Sequence, residues 1–219
     1  MALSARTRSL LTWLPATALL IVVGLVVLGT FAVQGSWWAE ENPAASSDQK
    51  ASDGSTMLTD AGFDYVNVEG TARVRIGEGA LPAEQLGMGS DAEKSAEFRR
   101  PVRVIMAGGD DVYVTEDIGA LTAVTRTGEL ASVTLAFDNP GTWAQSIDRM
   151  RSIAPTFGWD EAQIDALDAE LTAFNQDGTG DSFTAEIGPS EGAVSVTGTL
   201  SFDRGSGTTA VTLTFGPGD

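Results

Sequence analysis

The hydrophobic residues of this chain follow one pattern near the N-terminus and another in the rest of the sequence. Residues 10–33 form an apolar stretch of 24 residues without a charged side chain. As a helix this stretch is about 36 Å long, which is enough to cross the roughly 30 Å hydrocarbon core of a bilayer. It predicts a transmembrane helix, so the lipid bilayer is the first expected partner.

Basic residues on either side of this stretch predict its orientation. Arg6 and Arg8 precede it, and the next basic residue is Lys50. Because Lys and Arg favour the cytoplasmic side, residues 1–9 are predicted to be a cytoplasmic stub, with the C-terminal part of the chain outside the cell membrane. A cleaved secretory signal is the alternative, but its apolar core is normally only about 7–15 residues long. We therefore interpret the stretch as an uncleaved, single-pass signal-anchor.

The sequence after the anchor divides into a linker and a domain. Residues 34–60 are rich in Ala, Ser, Asp and Gly and offer little to bury, which is typical of a flexible linker. Residues 61–219 then alternate apolar and polar positions in short runs, as strands do. The predicted strands are 63–69, 71–77, 102–106, 112–115, 120–126, 130–137, 182–187, 193–202 and 208–215, and a helical segment is predicted at 91–99.

Two longer helices are predicted in the middle of this domain. The first has Asn139 as its N-cap, Pro140 in its first turn and its end at Pro155, and its apolar face includes Trp143. The second begins at Asp160 with a capping-box pattern, followed by an apolar stripe. Strands on both sides of a helical pair predict an α+β domain, in which the pair packs on one face of an antiparallel sheet.

Composition limits the chemistry that the domain can perform. The formal net charge is −17, which disfavours nucleic acid and anionic lipid as partners of the domain. The chain has no cysteine and no histidine. Disulfides, thiolate metal sites, the commonest general base and the commonest transition-metal ligand are therefore excluded.

One loop has the spacing of a calcium site. Oxygen-bearing residues between the second helix and the next strand resemble the EF-hand calcium loop, with Gly180 at the sharp-turn position. The candidate ligands are Asn175, Asp177, Thr179, Asp181 and Glu186. Three departures are an Asn where Asp is usual, a polar Ser182 where an apolar residue is usual, and a Gly-Pro pair that forbids an exiting helix. The alternative is a polar connecting loop with a glycine helix cap, so calcium is the one possible cofactor.

Two charged clusters are further candidates. Acidic residues around a predicted turn could form a glycosidase-like carboxylate pair with Asp181 or Asp203, or could simply be solvated turn residues. These residues are Asp110, Asp111, Glu116 and Asp117. A basic cluster of Arg99, Arg100 and Arg103 could bind an anion, whereas salt bridges across neighbouring strands are the alternative.

Three functions are consistent with this sequence. The first, which we adopt, is a membrane-anchored domain outside the cell that binds a protein or cell-wall partner without catalysis, so no catalytic residue is assigned. The second is a calcium-dependent structural module, and the third is a tethered carboxylate hydrolase acting on envelope glycans. An exposed apolar patch without a cleft favours the first, and a buried carboxylate pair in a cleft favours the third.

Overall fold

The computed structural model describes residues 54–218 apart from Gly178 and Glu191. The predicted stub, the transmembrane helix at 10–33 and most of the linker lie outside these residues. Within the described part, every helix is too short or too polar to cross a bilayer.

The described chain forms three helices and seven strands. The helices are α1 (Asp60–Glu69), α2 (Trp143–Phe157) and α3 (Glu161–Asp177). The strands are β1 (Thr71–Arg75), β2 (Glu93–Gly108), β3 (Asp111–Arg126), β4 (Glu129–Phe137), β5 (Ser182–Ile187), β6 (Val194–Asp203) and β7 (Thr208–Pro217).

All seven strands belong to one sheet in the order β1-β2-β3-β4-β7-β6-β5. Strand β1 runs parallel to β2, and every other neighbouring pair is antiparallel. The predicted α+β class is therefore confirmed, but the sheet is mixed rather than purely antiparallel. The physical reason is the long connection at 76–92, because parallel strands need a crossover of a dozen or more residues.

Helix α1 replaces the strand predicted at 63–69. The side chain of Thr59 accepts a hydrogen bond from the N–H of Gly62 and caps the helix, and Gly70 ends it in the left-handed conformation. Phe63 and Val66 are buried, and their spacing of three residues places them on one face of a helix. The alternation in this segment was therefore misleading, and the cap at Thr59 was the decisive signal.

Strand β2 replaces the helix predicted at 91–99. Good helix formers occupy this segment, yet residues from Glu93 to Glu97 pair in register with β3. Strands β2 and β3 are each sixteen residues long and are joined by one turn. Their pairing satisfies the backbone of most of the segment, and it outweighs the local helix propensity.

The predicted helical pair is present, although the bounds of its first helix differ. Thr142, not Asn139, is the N-cap of α2, and it forms a capping box with Gln145. Pro155 lies inside α2, which continues to Phe157. Asp160 caps the start of α3, but only one bond of the predicted capping box is present. The N–H of Asp160 donates to the side-chain oxygen of Gln163 at 2.9 Å, whereas the Asp160 carboxylate accepts from the N–H of Ala162 at 3.1 Å.

The three helices cover one face of the sheet, which we call the covered face. Trp143 is buried there, as predicted, and packs against Phe183, and Trp159 is buried against Phe157. The largest fully buried side chains include Ile76, Met106, Leu121, Leu135, Met150, Leu167, Leu200, Leu213 and Phe215. The opposite face, the open face, carries no helix among the described residues, so its side chains meet solvent.

The ordered domain includes residues that fall within the predicted linker. Thr56 and Leu58 are buried, and the N–H of Thr56 donates to the carbonyl of Arg73 in β1 at 2.7 Å. The chain therefore reaches the domain along the edge strand β1.

Candidate functional site

The residues of the predicted calcium loop are divided between three elements. Asn175 and Asp177 lie in the last turn of α3, Thr179 and Asp181 lie in the connection that follows, and Glu186 lies in β5. All five are exposed. Helix α3 packs on the covered face, whereas Glu186 alternates with buried Ala185 and Ile187 and therefore projects from the open face. The backbone does not wrap these oxygens around one point.

An arginine lies beside this loop. The guanidinium of Arg204 stacks on the ring of Phe174 at 4.4 Å, and its backbone N–H donates to the carbonyl of Asp181 at 2.9 Å. Phe174 in turn stacks on Phe183 at 5.3 Å. A fixed positive charge here opposes a bound cation. No group of three or more metal-ligating side chains is placed to hold an ion in the described residues, and calcium binding stays a prediction.

The acidic cluster surrounds a hairpin, and two of its four carboxylates, those of Asp111 and Glu116, have separate structural partners. Asp111 accepts a hydrogen bond from the N–H of Ala193 at 3.2 Å. Glu116 forms an ion pair with Arg103 at 2.6 Å. Asp117 adopts a left-handed conformation, and its carbonyl accepts from the N–H of Asp138. Asp110, Asp111, Glu116 and Asp117 all lie at the surface or near it, so they do not line a closed cleft.

The two other carboxylates considered for such a pair also lie in turns. Asp203 accepts hydrogen bonds from the backbone N–H and the hydroxyl of Ser206 at 2.6 and 2.8 Å. These bonds hold the pKa of Asp203 below its ordinary value, which is the opposite of what a general acid needs. Asp181 immediately precedes β5, Asp203 ends β6 opposite Ser182, and both aspartate side chains are exposed.

One arginine of the basic cluster, Arg103, forms the predicted salt bridge to a neighbouring strand, whereas Arg99 and Arg100 contact helix α1. Arg103 of β2 pairs with Glu116 of β3, its neighbouring strand. Arg99 lies 3.9 Å from the carboxylate of Asp64 in α1, and Arg100 donates to the carbonyl of Val68 at the end of that helix. These arginines hold α1 and β3 against β2.

The open face carries the unusual surface of this domain. Val112 and Val114 of β3 are 62% and 51% exposed, and they are the large hydrophobic side chains exposed in the described part of the chain. Ile105 of β2 is the cross-strand partner of Val114. We call Ile105, Val112 and Val114 the valine patch.

Two arginines continue the valine patch onto the edge strand. Arg73 is the register partner of Ile105, and Arg75 is the partner of Ala107, which itself pairs with Val112. Two rows therefore cross three strands, each beginning with a guanidinium on β1 and ending with a valine on β3. A shallow depression of about 180 Å³ lies over these rows.

The open face of β4, β7 and β6 carries many threonines. Threonines of neighbouring strands stand opposite one another, and the hydroxyls of Thr134 and Thr214 are 3.1 Å apart. The others are Thr197, Thr199 and Thr212. Short hydroxyl side chains are ordinary on the solvated face of an antiparallel sheet, so the valine patch differs from its own surroundings.

Sequence reasoning did not find the valine patch. The segment 112–115 was predicted as a strand, and its alternation of Val112 and Val114 with Tyr113 and Thr115 is visible in the sequence. Which pair faces the helices could not be read from that alternation. Tyr113 packs on Phe157 and Phe215 in the core, which turns both valines outward.

Comparison with known proteins gives no family for this chain. No protein-family model, no curated protein and no solved structure matches it.

Proposed function

We propose that this chain is a single-pass membrane protein whose domain outside the cell is a non-catalytic binding module. The valine patch is its contact surface. The observation that carries this proposal is the exposure of Val112 and Val114 side by side on an uncovered sheet face. Single exposed apolar residues are ordinary, whereas adjoining ones mark contact sites.

The anchor supports the membrane part of this proposal. Residues 10–33 contain no charge, and the basic residues that precede them favour a cytoplasmic N-terminus. A domain tethered in this way meets its partner near the membrane, where the tether raises the effective concentration of the domain and its partner. Weak individual contacts through a small patch are then sufficient for binding.

The chemistry of the domain supports the non-catalytic part. The sequence lacks histidine and cysteine. Among the candidate carboxylates, Asp111 and Asp203 accept hydrogen bonds from backbone N–H groups, and Glu116 forms an ion pair with Arg103. The valine patch itself contains no nucleophile and no general base. A surface of this composition supplies contact area rather than reactive groups.

Site-directed photo-crosslinking tests this function. A photoreactive residue replaces Val114 in the full-length chain in its native membrane, and the matched control places the same residue at Thr199, on the open face of β6. We expect a discrete adduct of higher mass from position 114 and none from position 199. An identical adduct pattern from both positions, or no adduct from position 114, would contradict the assignment of the contact surface.

A further inference from the structure

We infer that the valine patch binds an extended polypeptide segment in which carboxylate side chains alternate with aliphatic ones. This inference rests on the proposed function and adds the chemistry of the partner. Three observations carry it, namely the unpaired arginines of β1, the lining of the depression above them and the spacing of the two rows.

Arg73 and Arg75 are the arginines of the described residues whose guanidiniums have no ion-pair, carbonyl or aromatic partner. Arg100 and Arg126 donate to backbone carbonyls, and Arg149 and Arg204 stack on phenylalanine rings. Arg103 and Arg151 form ion pairs at 2.6 and 2.9 Å. By contrast, no carboxylate lies within 4.0 Å of the guanidinium of Arg73 or Arg75 among the described residues. Both arginines are exposed. In a chain with 30 acidic and 13 basic residues, two neighbouring unpaired guanidiniums form a local positive site.

The depression over the rows combines these charges with apolar surface. Among the described residues its lining contains no carboxylate, and consists of Gly54, Ser55, Arg73, Val74, Arg75, Ile105, Ala107 and Val112. Its volume of about 180 Å³ suits one or two side chains rather than a small-molecule substrate, since such ligand sites usually measure about 300–1,000 Å³. A carboxylate beside an aliphatic group matches this lining, because a guanidinium fork binds a carboxylate in a planar, bidentate way.

The two arginines are not equivalent. Arg75 also lines a second depression, which contains Glu78, Asp110 and Asp111, so acidic groups share its field. The carboxylate of Asp111 is already engaged with the N–H of Ala193. Arg73 lies in the row with Ile105 and Val114, away from those acidic groups. It therefore supplies most of the selectivity for a carboxylate.

The spacing of the rows favours an extended segment. Arg73 and Arg75 are two residues apart on one strand, as are Val112 and Val114, so each pair is separated by about 6.6–6.8 Å. Alternate side chains of an extended peptide lying along these strands have the same separation. Successive carboxylates then meet successive guanidiniums, while aliphatic side chains cover the valines.

Two other occupants fit the charges less well. An anionic bilayer presents its charge to a whole side of the domain, whose formal charge after residue 39 is −19, from 30 acidic and 11 basic residues, whereas a short acidic peptide meets only the surface around Arg73 and Arg75. A second copy of this chain, placed patch against patch, brings unpaired arginines towards each other. Both are nevertheless included as outcomes of the test.

The test measures binding of three eight-residue peptides to the full-length chain in nonionic detergent micelles. The peptides alternate valine with glutamate, glutamine or lysine, and fluorescence anisotropy reports binding at 0.1 M salt. We expect the glutamate peptide to bind at least tenfold more tightly than the other two. Raising the salt to 0.5 M should weaken the glutamate peptide selectively, because the charges are exposed and screened.

Substitutions then assign the selectivity to the arginines. R73Q should remove most of the preference for the glutamate peptide, and R73Q with R75Q should remove all of it. R99Q with R151Q removes the same two charges elsewhere on the surface and is the matched control. V112T with V114T should weaken the glutamate and glutamine peptides alike. Threonine suits exposed strand positions, and thermal unfolding checks that each variant folds.

Different failures separate the two proposals. Equal binding of the glutamate and glutamine peptides, with both weakened by V112T and V114T, overturns the acidic partner but keeps the contact surface. Peptide binding that is unchanged by V112T and V114T overturns both proposals. Two further outcomes also overturn the acidic-peptide partner. One is Arg73-dependent binding to vesicles of anionic lipid without any peptide binding, and the other is concentration-dependent dimerisation that requires the valine patch.

Discussion

The contact between the helical pair and the sheet can be tested at Gly198. This glycine lies on the covered face of β6, where Val196 and Leu200 on either side are fully buried. A Cβ added to Gly198 would lie 2.6 Å from the terminal methyl of Met150, and 2.9 Å from atoms of both Ile187 and Trp159. Ordinary contacts of a Cβ begin near 3.4 Å, so three side chains would have to move.

The expected cost of G198A follows from this overpacking. Inserting a methyl group into a packed core costs about 1–3 kcal/mol. For a domain of this size, 2 kcal/mol lowers the unfolding temperature by about 4–8 °C. The assay is thermal unfolding of the full-length chain in detergent micelles, followed by circular dichroism. The control is G205A in an exposed turn, where the nearest atom is 3.4 Å away, and its unfolding temperature should stay within about 2 °C of wild type.

A double substitution examines whether the clash is the cause. M150A alone should cost about 2–5 kcal/mol, because it leaves a cavity in the core. In the double variant the new methyl group of G198A enters that cavity. The loss of unfolding free energy in the double variant should therefore be smaller than the sum of the losses in the two single variants. Strict additivity, or a G198A variant as stable as wild type, would refute the packing of α2 over β6 that the structure shows.

Three further predictions concern the anchor, the calcium loop and pH. L20R with V26R should release the chain from carbonate-washed membranes, since each central charge costs about 2.5–3.5 kcal/mol, whereas retention would place the span elsewhere. Millimolar calcium should leave the unfolding temperature the same as in EDTA, because the positive charge of Arg204 beside the loop opposes a bound cation. A rise of several degrees that D177A abolishes would instead make the loop a calcium site. The pKa of Asp203 is lowered by its hydrogen bonds to the neighbouring turn, so these bonds stabilise the fold above the unfolded pKa of about 4 and are lost as the pH falls through the folded pKa. The unfolding temperature of D203N should therefore fall less than that of wild type between pH 7 and pH 3. An equal fall in both proteins would contradict this role of Asp203.

Local signals predicted the C-terminal two thirds of the domain well. The strands at 120–126, 130–137, 182–187, 193–202 and 208–215 alternate clearly, and each lies in a strand of the sheet. The capping pattern at Asp160 located the start of α3 because it involves residues only two and three positions apart. Such features depend on neighbouring residues, so they are visible in the sequence.

The N-terminal part of the domain was predicted less well for a different reason. The segment that contains Phe63 alternates like a strand but forms a helix, and the segment that contains Glu93 favours a helix but forms a strand. Both depend on distant partners, since β2 pairs with β3 and α1 packs on β1 and β2. Distant contacts of this kind outweigh propensities of less than about 1 kcal/mol per residue.

The sequence by itself determined the apolar stretch at 10–33, the exclusion of histidine and cysteine chemistry, and the α+β class. Only the tertiary structure decided the register of β1, β2 and β3, which brings Arg73 beside Ile105 and Val114. The physical reason is that the alternation of a strand defines two faces but not which face is buried. That choice was made by Tyr113, which packs on the aromatic core and leaves its two valine neighbours exposed to solvent.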